Sequence, residues 1–329
     1  MATVAHAFSP KEFKVAVVSD DTNAGATGIG STMNQLDVDS ISFPALNATQ
    51  VLDVRSGIGR TLKDEDVFQD NIMRVTEFSI SGTLHNDAGH KLLLQNICND
   101  VSGDIAVASG FAAASQKYGA AVTNAASSLT VVIQPSDVTN QTGLELFGCV
   151  VTNMSVSAES GTEGGRYKFS ATLQTGKKPD LASTAEPTIT AYANTTMPLL
   201  SSGSGFKVFN TDVVMNNFTA TIDSPAIFTG VTSTGYEVVS RGSEIAVTVD
   251  TQVKYDGNTK AFVNSFDTQT AALSGNMFVI TNNNAFGVDV QNGVLTNVAY
   301  SEGDIMMLDC SIKSVDDGTD ALISFDVSS

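Results

Sequence analysis

Short runs of alternating apolar and polar residues recur along this chain, each closed off by Gly, Asn, Asp or Ser. Phe78, Ile80 and Leu84 alternate with Ser79, Ser81 and Thr83, which predicts a strand with one buried and one wet face. Tyr167, Phe169, Ala171 and Leu173 alternate with Lys168, Ser170 and Thr172 in the same way, and Ile323, Phe325 and Val327 with Ser324 and Asp326. The Asp317-Gly318 pair ahead of that last run is a hairpin-turn signal. Residues 13–18 read as a further strand. Two stretches change period. Over 87–99, Leu93, Leu94 and Ile97 fall on one stripe at spacings of three and four, and over 258–273 Phe262 and Phe266 lie four apart, so both predict helices. The expected class is all-β with minor α, made of sandwich or barrel units that each carry one flanking helix.

The two helices expose an internal repeat. Shifted by 169 positions, residues 78–97 lie on 247–266 without a gap, so that Phe78, Ile80 and Leu84 fall on Val247, Val249 and Val253. In the same frame Asp87 falls on Asp256, Lys91 on Lys260, Leu93 on Phe262 and Ile97 on Phe266. Further on, Val150-Val151-Thr152-Asn153-Met154 corresponds to Val294-Leu295-Thr296-Asn297-Val298 at a shift of 144. Phe169, Ala171 and Leu173 then correspond to Leu308, Cys310 and Ile312 at a shift of 139. Only Asp87 and Lys91 are identical among the first twenty aligned positions, so the repeat is one of pattern and order. Its reading is one unit written twice.

As the shift falls from 169 to 144, the first copy gains 25 residues, most of them in 100–128. That stretch is rich in Ala, Gly and Ser and reads as a long inserted loop. Between the copies, 176–205 carries Pro179, Pro187, Pro198 and a Ser-Ser-Gly-Ser-Gly run, a linker composition. The organisation expected is a first unit over 1–180, a linker over 181–205 and a second unit over 206–329. Residues 52–67, with three basic and four acidic side chains around Gly57 and Gly59, read as an exposed arm of the first unit.

Composition narrows the function. The 329 residues carry 17 Lys and Arg against 35 Asp and Glu, a formal net charge of −18. A protein that grips nucleic acid through phosphates needs clustered Lys and Arg, so that class is excluded. Disorder does not explain the acidity, because hydrophobic residues make up 42% and charged residues only 16%, enough to bury a sizeable core. Cys98, Cys149 and Cys310 are dispersed and odd in number, form no CxxC pair, and fit a reducing compartment. Cys149 and Cys310 sit among apolar neighbours and read as small core residues. Residues 1–14 show no secretory leader pattern, and no apolar run approaches the ~20 residues of a membrane span.

Candidate chemistry is sparse. Gly25, Gly28 and Gly30 form GATGIG, but no βαβ unit surrounds it and no GK[ST] follows, so it is no phosphate loop. His85 and His90 are five apart rather than four and read as surface turn histidines, not zinc ligands. The acidic groups at Asp20-Asp21, Asp64-Glu65-Asp66 and Asp316-Asp317 read as solvated carboxylates. A glycosidase cleft would want aromatic platforms, and the chain has no Trp and six Tyr. Asp37-Val38-Asp39 lacks the remaining ligands and turn glycine of an EF-hand loop. No catalytic, cofactor-binding or metal-binding residue is named from the sequence, and the expectation is that the chain is not an enzyme.

The segment 148–157, Gly-Cys-Val-Val-Thr-Asn-Met-Ser-Val-Ser leading into a hairpin, together with a helix-flanked β unit and an extended loop between early strands, resembles the major tail tube proteins of long-tailed bacteriophages. The resemblance covers 78–173 best and 245–312 more weakly. It implies six-domain rings that stack into a hollow cylinder, with strands of neighbouring subunits closing a β-barrel around a lumen that passes DNA. Two tube domains in one chain would make three chains a pseudo-sixfold ring. The strands around 78–84, 169–173, 247–253 and 308–312 would build the barrel, and the arm would reach the adjacent ring. Implied partners are further copies of the chain and the tape-measure, tail-terminator and baseplate proteins. The place implied is the virion tail, after synthesis in the host cytoplasm, with no membrane and no cofactor. An acidic wall would repel phosphate and let DNA slide. A capsid decoration protein or adhesin module is the alternative expectation.

Overall fold

The computed structural model describes residues 9–20, 32–44, 49–52, 67–70, 75–98, 111–112, 128–135, 143–181, 188–193, 197–202, 204–230, 235–236, 238–242, 245–281, 286–317 and 322–326. The chain is all-β with minor α. Its first half runs β1 (Phe13–Ser19), β2 (Met33–Leu36), β3 (Val38–Ser42), the hairpin β4 (Thr49–Leu52) and β5 (Val67–Asp70), β6 (Thr76–Thr83) and α1 (Ala88–Cys98). There follow β7 (Phe111–Ala112), β8 (Leu129–Pro135), β9 (Leu144–Glu159), β10 (Lys168–Thr175), β11 (Asp180–Leu181) and β12 (Ile189–Thr190). The second half runs β13 (Ser204–Val208), β14 (Thr211–Asp212), β15 (Met215–Asp223), the hairpin β16 (Ala226–Thr229) and β17 (Val238–Arg241), and β18 (Ala246–Lys254). It ends with α2 (Lys260–Thr268), β19 (Leu273–Thr281), β20 (Gly287–Ser301), β21 (Met307–Ser314) and β22 (Ser324–Asp326). Among these residues no helix is long and apolar enough to cross a membrane.

The antiparallel pairings of the first half return in the second in the same order. β1 pairs with β2 and β8, as β13 pairs with β14 and β19. β3 pairs with β6 and β6 with β10, as β15 pairs with β18 and β18 with β21. β8 pairs with β9 and β9 with β10, as β19 pairs with β20 and β20 with β21. Each half also places a detached two-stranded hairpin, β4–β5 or β16–β17, at the same point of the order. The long strands β9 and β20 each serve two layers. The start of β9 pairs with β8, its end with β10, and the layers enclose one hydrophobic cluster.

Details recur below the level of topology. The register of β9 on β10 slips at Thr152, whose Oγ1 donates to the Thr172 carbonyl at 3.3 Å. The register of β20 on β21 slips at Thr296, whose Oγ1 donates to the Ser311 carbonyl at 3.2 Å. A bulge costs a ladder bond, and the threonine hydroxyl offers the stranded carbonyl a replacement. Asp87 Oδ1 accepts from the His90 N–H at 3.0 Å and Asp256 Oδ1 from the Thr259 N–H at 3.2 Å, each three residues on, and each opens a helix. The N–H groups of Lys91 and Lys260 donate to the carbonyls of those same aspartates.

The structure departs from the sequence reading at several points. Strand and helix do not share one gapless frame. Ile80 pairs with Ala171, whereas Cys310, the counterpart of Ala171, pairs with Thr251 rather than Val249. The second half therefore has two fewer residues between strand and helix, and two steps leave the buried face of a strand unchanged. α2 stops at Thr268 because Gln269 is already extended and Leu273 opens β19, so the helix is shorter than 258–273. Phe262 is buried, but Phe266 is exposed. The stretch read as a linker packs back on the first half. β12 pairs parallel with β2, Tyr192 stacks on His85 at 4.8 Å, and the buried Leu200 donates its N–H to Gly165. Of the 100–128 insert, Phe111 and Ala112 pair with Phe325 and Ser324 of β22. The rest up to residue 127, like the interior of the 52–67 arm and the Gly25–Gly30 run, lies outside the described residues.

One core runs through both halves. Tyr167 packs edge-on against Phe218 at 5.4 Å and Phe286 at 5.5 Å, Phe218 reaches Phe278, and Phe286 reaches Phe325. Tyr167 is fully buried, burial pushes its phenol well above the ordinary tyrosine value, and its hydroxyl has no hydrogen-bond partner among the described residues. An unpartnered buried hydroxyl costs stability, whereas the ring contributes packing. Tyr167→Phe is therefore expected to hold or raise the melting temperature, with a gain of up to about 1 kcal/mol. Tyr167→Ala should cost about 3–5 kcal/mol in denaturant titration.

Candidate functional site

The features that distinguish this molecule are a junction, a polar face and two open edges. The junction is the antiparallel pairing of β9 with β15, from Asn217 opposite Glu159 to Asp223 opposite Asn153. It fuses both halves into one sheet running β3–β6–β10–β9–β15–β18–β21–β20. Val156 and Ala220 face each other across it on the core side, and both are buried.

The β16–β17 hairpin locks the junction. Arg241, buried at 5% exposure, donates from Nη1 to the Val151 carbonyl at 2.6 Å and the Ser224 carbonyl at 2.9 Å. Its Nη2 donates to both the carbonyl and the Oδ1 of Asn96 in α1. Asn96 Oδ1 also accepts the Val151 N–H at 2.7 Å, beside the Thr152 bulge. A guanidinium with five fixed donors can bind several carbonyls at once without a carboxylate. Burial lowers its pKa to about 10, so it stays charged at neutral pH. At the other end of the hairpin, Tyr236 donates its N–H to the Gly176 carbonyl at 2.9 Å. A Cβ on Gly176 would lie 2.7 Å from Phe228 and 2.9 Å from Tyr236, so only glycine fits there.

The sheet face turned away from the core is a polar pavement. Ser155, Ser157 and Glu159 of β9 lie beside Asn217, Thr219 and Thr221 of β15, then Thr248, Asp250 and Gln252 of β18, then Asp309 and Ser311 of β21. A shallow trough of about 400 Å³ follows this line. Neighbouring strands bind its carboxylates. Ser311 donates to Asp250 at 2.6 Å, Gln252 to Asp309 at 2.8 Å and Gln174 to Glu77 at 2.7 Å. Lys168 pairs with Asp39 at 3.0 Å and with Glu163 at 2.9 Å, and that contact holds the Glu163 carboxyl below its ordinary value. The ends of this sheet are open. Among the described residues no strand pairs with the outer edge of β3 or with the outer edge of β20 beyond Asn297.

No family model matches this chain, and no curated protein matches it. The residues weighed for chemistry are distributed as follows. His85 and His90 are buried, not surface turn residues, because the chain around 188–193 and Asp37, between β2 and β3, pack on them. His85 bonds to Asp37 at 2.9 Å and to the Ala193 carbonyl at 3.2 Å, and His90 bonds to Asp87 at 2.8 Å. The rings lie 5.3 Å apart, and each is committed to a local carboxylate. Among the described residues no group of three or more His, Cys, Asp or Glu could hold a metal ion. Asp20 is a structural acceptor, bonded by Thr130 at 2.6 Å, the Gly148 N–H at 3.2 Å and Ser128 at 3.3 Å. Asp316 and Asp317 are exposed. Asp21 and 64–66 lie outside the described residues. Sequence reasoning missed Arg241, whose signal was an isolated arginine ahead of an alternating strand.

Two expected outcomes follow. Arg241→Ala leaves carbonyls of α1, β9 and β15–β16 without their donor and should cost about 3 kcal/mol in denaturant unfolding. Cys98, Cys149 and Cys310 are buried and joined in no disulfide. Burial pushes the Cys310 thiol up to about 12 and raises Cys149 strongly. At pH 8 a thiol near 12 is about one part in 10,000 thiolate, so a thiol reagent should label the native protein slowly and the unfolded chain rapidly.

Proposed function

We propose that this chain is a structural virion protein that assembles with copies of itself into the rings of a bacteriophage tail tube. In this reading each half is one tube domain, and three chains with two domains each make a ring of pseudo-sixfold symmetry. Stacked rings form a hollow cylinder through which DNA is delivered to the host. The observation that supports it most is the sheet that joins the halves edge to edge. That junction consumes one edge of each half and, among the described residues, leaves the equivalent edges open at the two ends of the sheet. A sheet with open ends is an aggregation hazard unless something pairs with it, and closing it into a barrel removes the hazard.

The polar pavement supports the same reading. On the ring's inner wall its hydroxyl and amide rows, with carboxylates bound to their neighbours, offer DNA no cluster of Lys and Arg to adhere to. The tape-measure, tail-terminator and baseplate proteins are the further partners, the virion tail is the location, and no catalysis is required. Electron micrographs of the purified protein or its particle should show stacked rings with a central channel. A monodisperse monomer at every concentration would overturn the reading. In assembled tubes, Asp250→Lys combined with Asp309→Lys should create DNA binding that weakens as salt rises, measured by retention of short duplexes.

A further inference from the structure

The geometry points to one defined contact between successive chains. The outer edge of β3 in one chain pairs antiparallel with the end of β20 in the next, with Ser42 opposite Ser301 and Phe43 opposite Tyr300. The occupant of each edge is thus a second copy of this chain. The inference rests on the self-assembly reading and supplies its interface.

The template is the junction inside the chain. β3 carries a bulge between Val38 and Ser40 opposite Gly82 and Ser81. β15 carries the same bulge between Met215 and Asn217 opposite Val253 and Gln252. Counting from the bulge, Ile41, Ser42 and Phe43 are the counterparts of Phe218, Thr219 and Ala220. On the other side, the shared threonine bulges align β9 with β20, so Ser157 and Val156 have Ser301 and Tyr300 as counterparts. Inside the chain Thr219 sits opposite Ser157 and Ala220 opposite Val156. Carrying that register to the free edges gives Ser42 with Ser301 and Phe43 with Tyr300.

The burial pattern argues for the contact independently of the count. Val156 and Ala220 are each 1% exposed, whereas Tyr300 is 49% exposed and Phe43 is 41% exposed. Both aromatics point to the core side of the sheet. Tyr300 lies opposite the buried Leu308, and Phe43 follows Ile41, which lies opposite the buried Ile80. A third residue fits the same scheme. Tyr167 accepts the Leu84 N–H on its carbonyl, and Met306 accepts the Tyr255 N–H on its own, so Met306 is the counterpart of Tyr167. Tyr167 is buried against Phe218 across the junction, and Met306 is 44% exposed. Bringing the edges together would cover Met306 with Ile41 as Tyr167 is covered by Phe218. Phe43 meets Phe13 edge-on and Tyr300 meets Tyr255, yet both keep large apolar surface exposed on the core-facing side, with no described strand beside them, and such surface marks an interaction site. Pro44 has no N–H to give, so the ladder ends just past Phe43. The contact joins unlike edges, so it is head-to-tail and closes as a ring or continues as a string.

The test uses full-length chains with cysteines added beside the three buried native ones. Ser42→Cys protein is mixed with Ser301→Cys protein, oxidised mildly, and run on a non-reducing gel with the disulfide peptides identified by mass spectrometry. Ser157→Cys with Thr219→Cys in one chain reports whether this register tolerates a disulfide, and Ser42→Cys mixed with Ala299→Cys reports a shifted register. The 42–301 pair is expected to cross-link at least fivefold more than the 42–299 pair. Separately, Phe43→Asp should weaken self-association at least tenfold while leaving the dilute chain folded, its melting temperature lowered only by the lost edge contact with Phe13. Rings that form while 42–301 fails to cross-link, with the 157–219 control succeeding, would overturn this contact and leave the tube reading standing. Cross-linking at 42–301 into strings that never close or stack would support the contact and overturn the tube. A folded chain that shows no association at any concentration would overturn both.

Discussion

Backbone polar groups at the edge of a sheet must find partners, and this molecule is organised around one place where they do. The ladder between β9 and β15 turns two sandwiches into one sheet. It sets Phe218 against Tyr167 and lets the aromatic contacts run on to Phe278, Phe286 and Phe325, so the core becomes continuous. A pairing made once inside a chain is intramolecular and has no concentration dependence. The same pairing made between chains must repay the lost freedom of whole molecules. The difference shows in how the two kinds of edge are furnished.

The internal junction carries a lock for which the described residues show no equivalent at the open edges. The Val151 N–H is bonded by Asn96 from α1, and the equivalent Leu295 N–H is bonded by Gln269 just past α2. Up to there the halves agree. Asn96 then receives the Arg241 guanidinium from the β16–β17 hairpin, which spans α1, β9 and the turn after β15. α1 is buried along nearly its whole length, whereas α2 buries only Phe262 among its residues. A buried arginine bonded only to carbonyls suits a permanent contact, because its desolvation is met once, in folding.

Much of this was legible in the sequence where local chemistry dictates geometry. The alternating runs found the strands, and Leu93 and Phe262 marked the buried side of each helix. The two identities, Asp87 with Asp256 and Lys91 with Lys260, proved to be the residues that open the helices through the same bonds. The aligned Thr-Asn pairs at 152–153 and 296–297 proved to lie at matching bulges, where a threonine hydroxyl replaces the ladder bond that a bulge removes. Contacts between distant segments were not legible. The burial of His85 depends on Ala193, 108 residues away, and that of Arg241 on Asn96, 145 residues away. The two-residue offset between the halves hid inside alternation, since any even slip preserves the pattern. β12 has no apolar run to signal it, and its pairing with Met33 and Asn34 of β2 is a contact between distant segments.

The charge of the chain also changes meaning once the sheet is known. A net charge of −18 suggests a strongly acidic wall. The pavement carries Glu77, Glu159, Asp223, Asp250 and Asp309, with Asp39 and Glu163 paired to Lys168, but also Lys254 and Lys313, so its excess is a minor part of the total and most of the acidity lies elsewhere. A strongly negative wall would hold a dense sheath of counterions, whereas rows of hydroxyls and amides with their carboxylates already hydrogen-bonded present a nearly neutral, well-hydrated surface. In the tube reading such a wall gives a polyanion nothing to bind and little to push against. Smooth passage then depends chiefly on the absence of cation clusters, and the remaining acidity serves solubility of the free subunit before its edges close.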